Sequence, residues 1–100
     1  MEEMEGFIRG TIIAYGDFVG VCESYWVEWN GTKKIRMIAI MNGIFKAVIG
    51  DIENFREVSG VMTNDEKLEF KKSVLNVWNG ERKRRGLPEL TMEKAFEVYK

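Results

Sequence analysis

Histidine and glutamine are absent from this chain of 100 residues, and cysteine and proline each occur once. Without histidine there is no imidazole base, so catalytic triads, Cys–His pairs and His-based phosphotransfer are excluded. The single cysteine, Cys22, excludes an intrachain disulfide and leaves too few soft ligands for a zinc site. We therefore expect a protein that is neither a conventional hydrolase nor a redox enzyme, with no cofactor.

Long apolar runs are also lacking, because no stretch approaches the roughly 18 residues that cross a bilayer. The acidic start at 1–5 differs from the basic and then apolar pattern of a secretory signal. With the single cysteine, these features predict a soluble protein of a reducing cytoplasm that makes no membrane contact. Abundant Glu, Lys and Arg without Gln also favours a thermophilic source.

A strong net charge is missing as well, since 15 Lys and Arg against 16 Asp and Glu give −1. The overall basic excess that marks many nucleic-acid binders is therefore absent. What the chain has is an apolar fraction of 45% with 12% aromatic residues, which is enough for one packed domain over 1–100.

The first half is divided by turn pairs that lie between β-branched, aromatic and apolar residues. Asn30-Gly31 and Asn42-Gly43 can each supply the two positive-φ residues of a type I′ hairpin turn, and Gly16-Asp17 is a weaker third turn. Antiparallel strands are predicted at about 6–15, 18–29, 32–41 and 44–51, with a possible fifth strand at 55–61.

The predicted turn at Asn30-Gly31 places Tyr25 opposite Arg36 and Cys22 opposite Ala39. Side chains alternate between the two faces of a strand, and both faces of the predicted sheet are apolar. An antiparallel sheet with one solvated face would alternate between apolar and polar residues. Either a partner, most simply a second copy, covers one face, or the sheet curls into a half-barrel around its own core.

The second half changes to a helical period. The spacing of Thr63 and Glu66 is that of a capping box, and apolar residues follow it at helical intervals. This pattern predicts a helix at about 64–80, which ends near Gly80 or continues towards Gly86, and a last helix at 91–100. The predicted fold is α+β, with a four- or five-stranded antiparallel β-meander followed by two C-terminal helices packed on one face.

Aromatic and cationic side chains gather at the predicted tip of the Asn30-Gly31 hairpin. Bases stack on aromatic rings while cations hold the phosphate backbone, so such a surface favours single-stranded nucleic acid. Tyr25 opposite Arg36 is equally explained by a cross-strand cation–π pair that serves only the fold. The candidate binding residues here are Tyr25, Trp29, Lys33, Lys34 and Arg36.

A second candidate is the run of four cations Arg82, Lys83, Arg84 and Arg85. Such a run can follow phosphates. The favoured interpretation is that these cations offset the dipole at the end of a helix.

These patterns predict a non-enzymatic binding module that binds single-stranded nucleic acid through the aromatic and basic face of the hairpin. It is expected to form a homodimer through the sheet. The alternative is a protein-interaction or regulatory module, for instance from a virus or mobile element, which fits the near-zero net charge better. A carboxylate-and-metal enzyme is the third class. Its candidate carboxylates include Glu23, which the predicted register places on an apolar face. The simpler explanation is a glutamate near the sheet margin that reaches water or an arginine.

Overall fold

The computed structural model describes residues 9–96, and the predicted strand and helix positions at 6–8 and 97–100 lie outside them. Two short 3-10 turns, Ile52–Asn54 and Ser59–Val61, precede the first helix. The strands and helices are β1 (Ile12–Tyr15), β2 (Phe18–Val27), β3 (Lys33–Met41), β4 (Ile44–Asp51), β5 (Arg56–Glu57), α1 (Asn64–Arg84) and α2 (Met92–Phe96).

The five strands form one antiparallel sheet in the order β4-β3-β2-β1-β5. The predicted α+β fold, with a sheet followed by helices, is therefore confirmed. The fifth strand has two residues and does not extend the meander beyond β4. It pairs instead with β1, where Ala14 lies opposite Arg56 and Ile13 opposite Glu57.

The sheet curls strongly, because the chain passes from one edge strand to the other within residues 52–55. Four strand spacings of about 4.8 Å would separate the edges of a flat sheet by roughly 19 Å, which is too far for a short 3-10 connection. Contacts show the curl directly. A Cβ added to Gly50 on β4 would lie 2.8 Å from the Tyr15 ring on β1, and the rings of Tyr15 and Phe55 are 4.9 Å apart.

Both faces of the curled sheet are buried within the one chain. The helices cover the convex face, where Ile12, Val21, Ile38, Val74, Trp78, Ala95 and Phe96 form one core. The concave face closes on itself around Ile13, Cys22, Ile35, Met37, Ala39 and Phe55. Of the two explanations for a doubly apolar sheet, the half-barrel is the one that the structure adopts.

Helix α1 begins with the predicted capping box. Thr63 Oγ1 accepts a hydrogen bond from the Glu66 amide at 3.1 Å, and Glu66 Oε1 accepts one from the Thr63 amide at 2.9 Å. The helix passes Gly80 and ends at Arg84, followed by Gly86 with φ +76°. Gly86 supplies the positive φ of a helix stop, so the predicted end near 80 is wrong and the longer alternative is confirmed.

The turn at Asn42-Gly43 forms as predicted. Asn42 has φ +54° and Gly43 has φ +76°, the two positive values of a type I′ turn. Met41 therefore lies opposite Ile44, and the predicted register holds to Met37 opposite Val48.

The turn at Asn30-Gly31 is longer than predicted. Its loop is Trp29–Gly31, closed by the Glu28 amide donating to the Thr32 carbonyl at 2.8 Å, and only Gly31 has a positive φ, at +89°. Asn30 uses its side chain instead, because Oδ1 accepts a hydrogen bond from the Thr32 amide at 3.0 Å. The predicted two-residue turn is wrong at this position.

Strand β2 also contains a β-bulge at Glu23, where the pairing with β3 shifts between Cys22 and Ser24. Cys22 lies opposite Met37, not Ala39, and Tyr25 lies opposite Ile35, not Arg36. One extra residue in a strand exchanges the faces of all residues beyond it. Residues 24–27 therefore present the faces opposite to those predicted.

Candidate functional site

The loop of the β2–β3 hairpin presents Trp29, whose exposed fraction is 96%. The loop backbone is held by hydrogen bonds of 2.8 Å from the Gly31 amide to the Glu28 carbonyl and from the Glu28 amide to the Thr32 carbonyl. Next to it, Val27 at the end of β2 is also exposed. An indole ring that contributes nothing to the core, placed on a closed loop, has the character of a contact residue.

Tyr25 is half-buried and contributes to the core of the concave face. The bulge at Glu23 turns its side chain to the concave face, where it packs against the core that contains Ile35. The predicted pairing of Tyr25 with Arg36 is therefore wrong, and the cation–π contact that was the alternative explanation for these residues does not form, because their side chains lie on opposite faces of the sheet.

Trp26 takes the place that was predicted for Tyr25. It lies directly opposite Lys34 and is half-buried, and its Nε1 donates a hydrogen bond to Glu28 Oε2 at 3.2 Å. Sequence reasoning missed this residue for two reasons. The loop at Trp29–Gly31 is one residue longer than predicted, which moves the partner of Trp26 from Ile35 to Lys34, and the bulge at Glu23 carries no glycine or other turn signal.

The cations beside Trp26 are already paired. Lys34 Nζ is 2.7 Å from Asp51 Oδ1, and this hydrogen bond raises the pKa of the Lys34 ammonium. Arg36 Nη1 donates to Glu23 Oε1 at 2.9 Å, so of the two partners expected for Glu23, water or an arginine, the structure shows the arginine. Lys33 is half-buried, and its side chain too is not free of interactions within the chain. A phosphate would have to displace carboxylates to reach Lys34 or Arg36.

The cationic run at 82–85 lies at the other end of the sheet. Arg84 lines a groove together with Gly43, which lies in the turn after β3. Trp29 lies in the loop before β3, at the opposite end of that strand. The nine residues of β3 separate the two places by about 26 Å, at roughly 3.3 Å per residue. The structure does not bring the two halves of the predicted site together.

Most cations of that run also have partners within the chain. Arg82 Nε donates to the Pro88 carbonyl at 2.8 Å, and Arg85 Nε donates to Glu81 Oε2 at 2.8 Å. Arg84 pairs with the same Glu81 carboxylate. Lys83 is exposed in the last turn of α1. These contacts support the interpretation favoured from the sequence, in which the cations of the last helical turn offset the helix dipole.

Within the described part of the chain, neither the cysteine nor the carboxylates form a reactive or metal-binding site. Burial raises the pKa of the Cys22 thiol to about 11, with Glu23 adding to this rise and Arg9 opposing it, so the thiol is protonated at neutral pH. Within residues 9–96, no group of three carboxylate or cysteine side chains is placed to hold a metal ion.

No helix in the same range is long and apolar enough to cross a membrane. Comparison with known proteins gives no match, whether among protein-family models, curated proteins or solved structures.

Proposed function

We propose that the chain is a non-enzymatic binding module that contacts a protein partner through the end of the β2–β3 hairpin. The hairpin surface is Trp26, Val27, Trp29, Lys33 and Lys34. The observation that carries the proposal is Trp29, exposed at 96% on a hydrogen-bonded loop. Tryptophan is enriched among the residues that dominate protein–protein binding, because one ring buries a large area at low conformational cost.

The charges around the hairpin support a protein partner over nucleic acid. Lys34 and Arg36 already bind Asp51 and Glu23. A depression beside the loop is lined by Lys33 together with Asp51 and Glu53, so carboxylates accompany the cations there. Nucleic-acid binding draws its affinity from cations that are available to phosphates, and its strength falls steeply with salt.

Single-strand nucleic-acid binding is the second candidate. It rests on the placement of Trp26 directly opposite Lys34, an aromatic ring beside a cation on one sheet face. A homodimer is not needed to cover an apolar face, since both cores are closed within one chain. The dimer, the cytoplasmic location and the thermophilic source stay predictions.

The test compares three forms of the protein as baits in an extract of the source cell: the wild type, Trp29→Ala and Val61→Ala. Val61 is 87% exposed and lies in the 3-10 turn that follows β5, a strand that β1 separates from β2 in the sheet. It is therefore a matched control for loss of an exposed apolar side chain. We expect one protein to be retained by the wild type and by Val61→Ala and to be lost with Trp29→Ala. Identical recovery on all three baits would contradict the proposal.

The nucleic-acid candidate is tested in parallel by fluorescence anisotropy with labelled single-stranded DNA and RNA at about 50 and 200 mM salt. Saturable binding that weakens sharply at the higher salt and is lost with Trp29→Ala would replace the protein partner with nucleic acid. The absence of binding at the lower salt removes this candidate.

A further inference from the structure

Strand β4 has an open outer edge, since no other described strand pairs with it on that side. The type I′ turn at Asn42-Gly43 makes Met41 and Ile44 a hydrogen-bonded pair, and such pairs recur at every second residue. Ile44, Lys46 and Val48 therefore direct their backbone groups to β3. The N–H and C=O groups of Phe45, Ala47 and Ile49 point away from the sheet.

This edge carries little of the protection that free edges usually have, with Lys46 as its one charged residue between Ile44 and Ile49. Ile44 is 64% exposed and Ile49 is 57% exposed, and Ala47 between them is also exposed. Between these two isoleucines the strand has one charge, Lys46, and neither proline nor a bulge. Long apolar edges of this kind are templates for another extended chain.

Helix α1 packs beside the same edge. A groove of about 450 Å³ lies between the start of β4 and the last turns of the helix, and Gly80 is one of the residues that line it. A Cβ at Gly80 would meet no atom within 4 Å, so this position leaves space for a side chain from outside. The groove is lined by Gly43, Ile44, Phe45, Val77, Gly80, Glu81 and Arg84.

The end of α1 beside the groove is positively charged, and of its four cations Arg84 lines the groove itself. Glu81 and the four cations at 82–85 together carry +3 (four positive charges and one negative). Glu81 is shared between Arg84 and Arg85, so its single carboxylate does not neutralise both. An occupant with acidic residues at this end is complementary in charge.

We propose that this edge and groove bind an extended acidic peptide of another protein, which adds a sixth strand along β4. Its backbone pairs with the outward groups of Phe45, Ala47 and Ile49. One apolar side chain enters the groove beside Gly80, and a carboxylate lies near Arg84. Nucleic acid fits less well, because Phe45 is the one aromatic residue that lines the groove and its ring already stacks on Trp78 with ring centres 6.4 Å apart.

This second surface is independent of the hairpin surface, so its test uses different variants. A display library of random peptides with about the length of β4, 8 residues, is selected on the immobilised protein. We expect enrichment of sequences in which apolar and acidic residues alternate. The affinity of the best peptide, synthesised with a fluorescent label, is then measured by polarisation, beside a version in which lysine replaces each acidic residue.

Two matched pairs of variants locate the binding. Gly80→Trp fills the groove while Gly80→Ala leaves most of it open, and Ala47→Pro removes one outward N–H while Ala47→Thr keeps it. We expect at least tenfold weaker binding for Gly80→Trp, for Ala47→Pro and for the lysine peptide, and near wild-type binding for both controls. Trp29→Ala leaves this binding unchanged. Circular dichroism verifies that each variant is folded.

Three results would overturn the proposal. One is a selection that enriches no acidic and apolar pattern, and another is a selected peptide that binds Gly80→Trp and Ala47→Pro as well as the wild type. The third is a wild-type dimer in sedimentation that Ala47→Pro converts to monomers, which would assign the edge to a second copy of the chain.

Discussion

The carboxylate of Glu23 accepts a hydrogen bond from Arg36 Nη1 at 2.9 Å, across a strand pair in which Arg36 lies opposite Ser24. Glu23 is the extra residue of the bulge, so it has no partner directly opposite on β3. Ser24 Oγ donates to the same carboxylate oxygen at 3.0 Å. The ion pair thus connects the irregular part of β2 to the regular strand β3.

This pair is partly buried, with 31% of the Arg36 side chain and 21% of the Glu23 side chain exposed. Because its removal leaves a half-buried partner, we expect Glu23→Ala to lower the free energy of unfolding by about 1 to 2 kcal/mol. Urea titration measures the loss. A double-mutant cycle with Arg36→Ala should give a coupling energy above about 0.5 kcal/mol.

The matched control is the pair Glu81–Arg85 on α1, where 66% of the arginine side chain is exposed. Its coupling energy in the same kind of cycle should stay below about 0.5 kcal/mol, because solvent screens exposed helix pairs. Equal coupling in both cycles would mean that the bulge pair adds nothing beyond an ordinary surface contact.

Replacing the exposed tryptophan should leave the fold intact. For Trp29→Ala we expect a change of less than about 0.5 kcal/mol in the free energy of unfolding, since the ring contacts no core. Trp78, which is 6% exposed and packs against Phe96, is the control, and Trp78→Ala should cost roughly 3 to 5 kcal/mol. A large loss with Trp29→Ala would show that the ring supports the hairpin and would weaken its assignment to a partner.

Two glycines predict opposite effects of the same substitution. Gly31 has φ +89°, which an alanine adopts only with strain, so Gly31→Ala should destabilise by about 1 to 2 kcal/mol. Gly80 lies within α1 and has free space around its Cα, so Gly80→Ala should stabilise by about 0.5 to 1 kcal/mol. Thermal unfolding of both variants beside the wild type measures the signs, and two shifts in the same direction would refute this reasoning.

The buried thiol predicts a loss of stability at high pH. The pKa of Cys22 is about 11 in the folded protein against its usual 9.0, so the unfolded chain releases its proton first. Between pH 9 and 11 the unfolded state therefore binds fewer protons, and stability falls by roughly 2 to 3 kcal/mol as the pH rises. In Cys22→Ala this contribution to the loss of stability between pH 9 and 11 should vanish.

The register of the β3–β4 hairpin could be predicted because both of its turn residues need a positive φ and Asn42-Gly43 supplies them. At Asn30-Gly31 the same dipeptide gave a wrong prediction of a two-residue turn. There the asparagine side chain accepts a backbone hydrogen bond and only the glycine has a positive φ. The longer loop and the bulge at Glu23 together shift the deeper pairs by two positions. Cys22 therefore kept its predicted face, although its partner was wrong.

The candidate surface was predictable in part for the same reason. Trp29 lies in the loop itself, so no error of register moves it into the core. Tyr25 and Trp26 lie between the bulge and the loop, and one extra residue exchanges their faces. The Lys34–Asp51 ion pair follows from the correctly predicted β3–β4 register, which places these two residues opposite each other. The Arg36–Glu23 pair depends on the bulge, which the sequence did not predict.

The pairing of β5 with β1 has a consequence for synthesis on the ribosome. Ile13 and Glu57, which lie opposite each other, are 44 positions apart (57 minus 13), whereas the three hairpins join neighbouring segments. Local pairs close early and distant ones late. A nascent chain therefore carries an unpaired β1 edge until residue 57 has left the exit tunnel, and during that interval it is most exposed to chaperones and to aggregation.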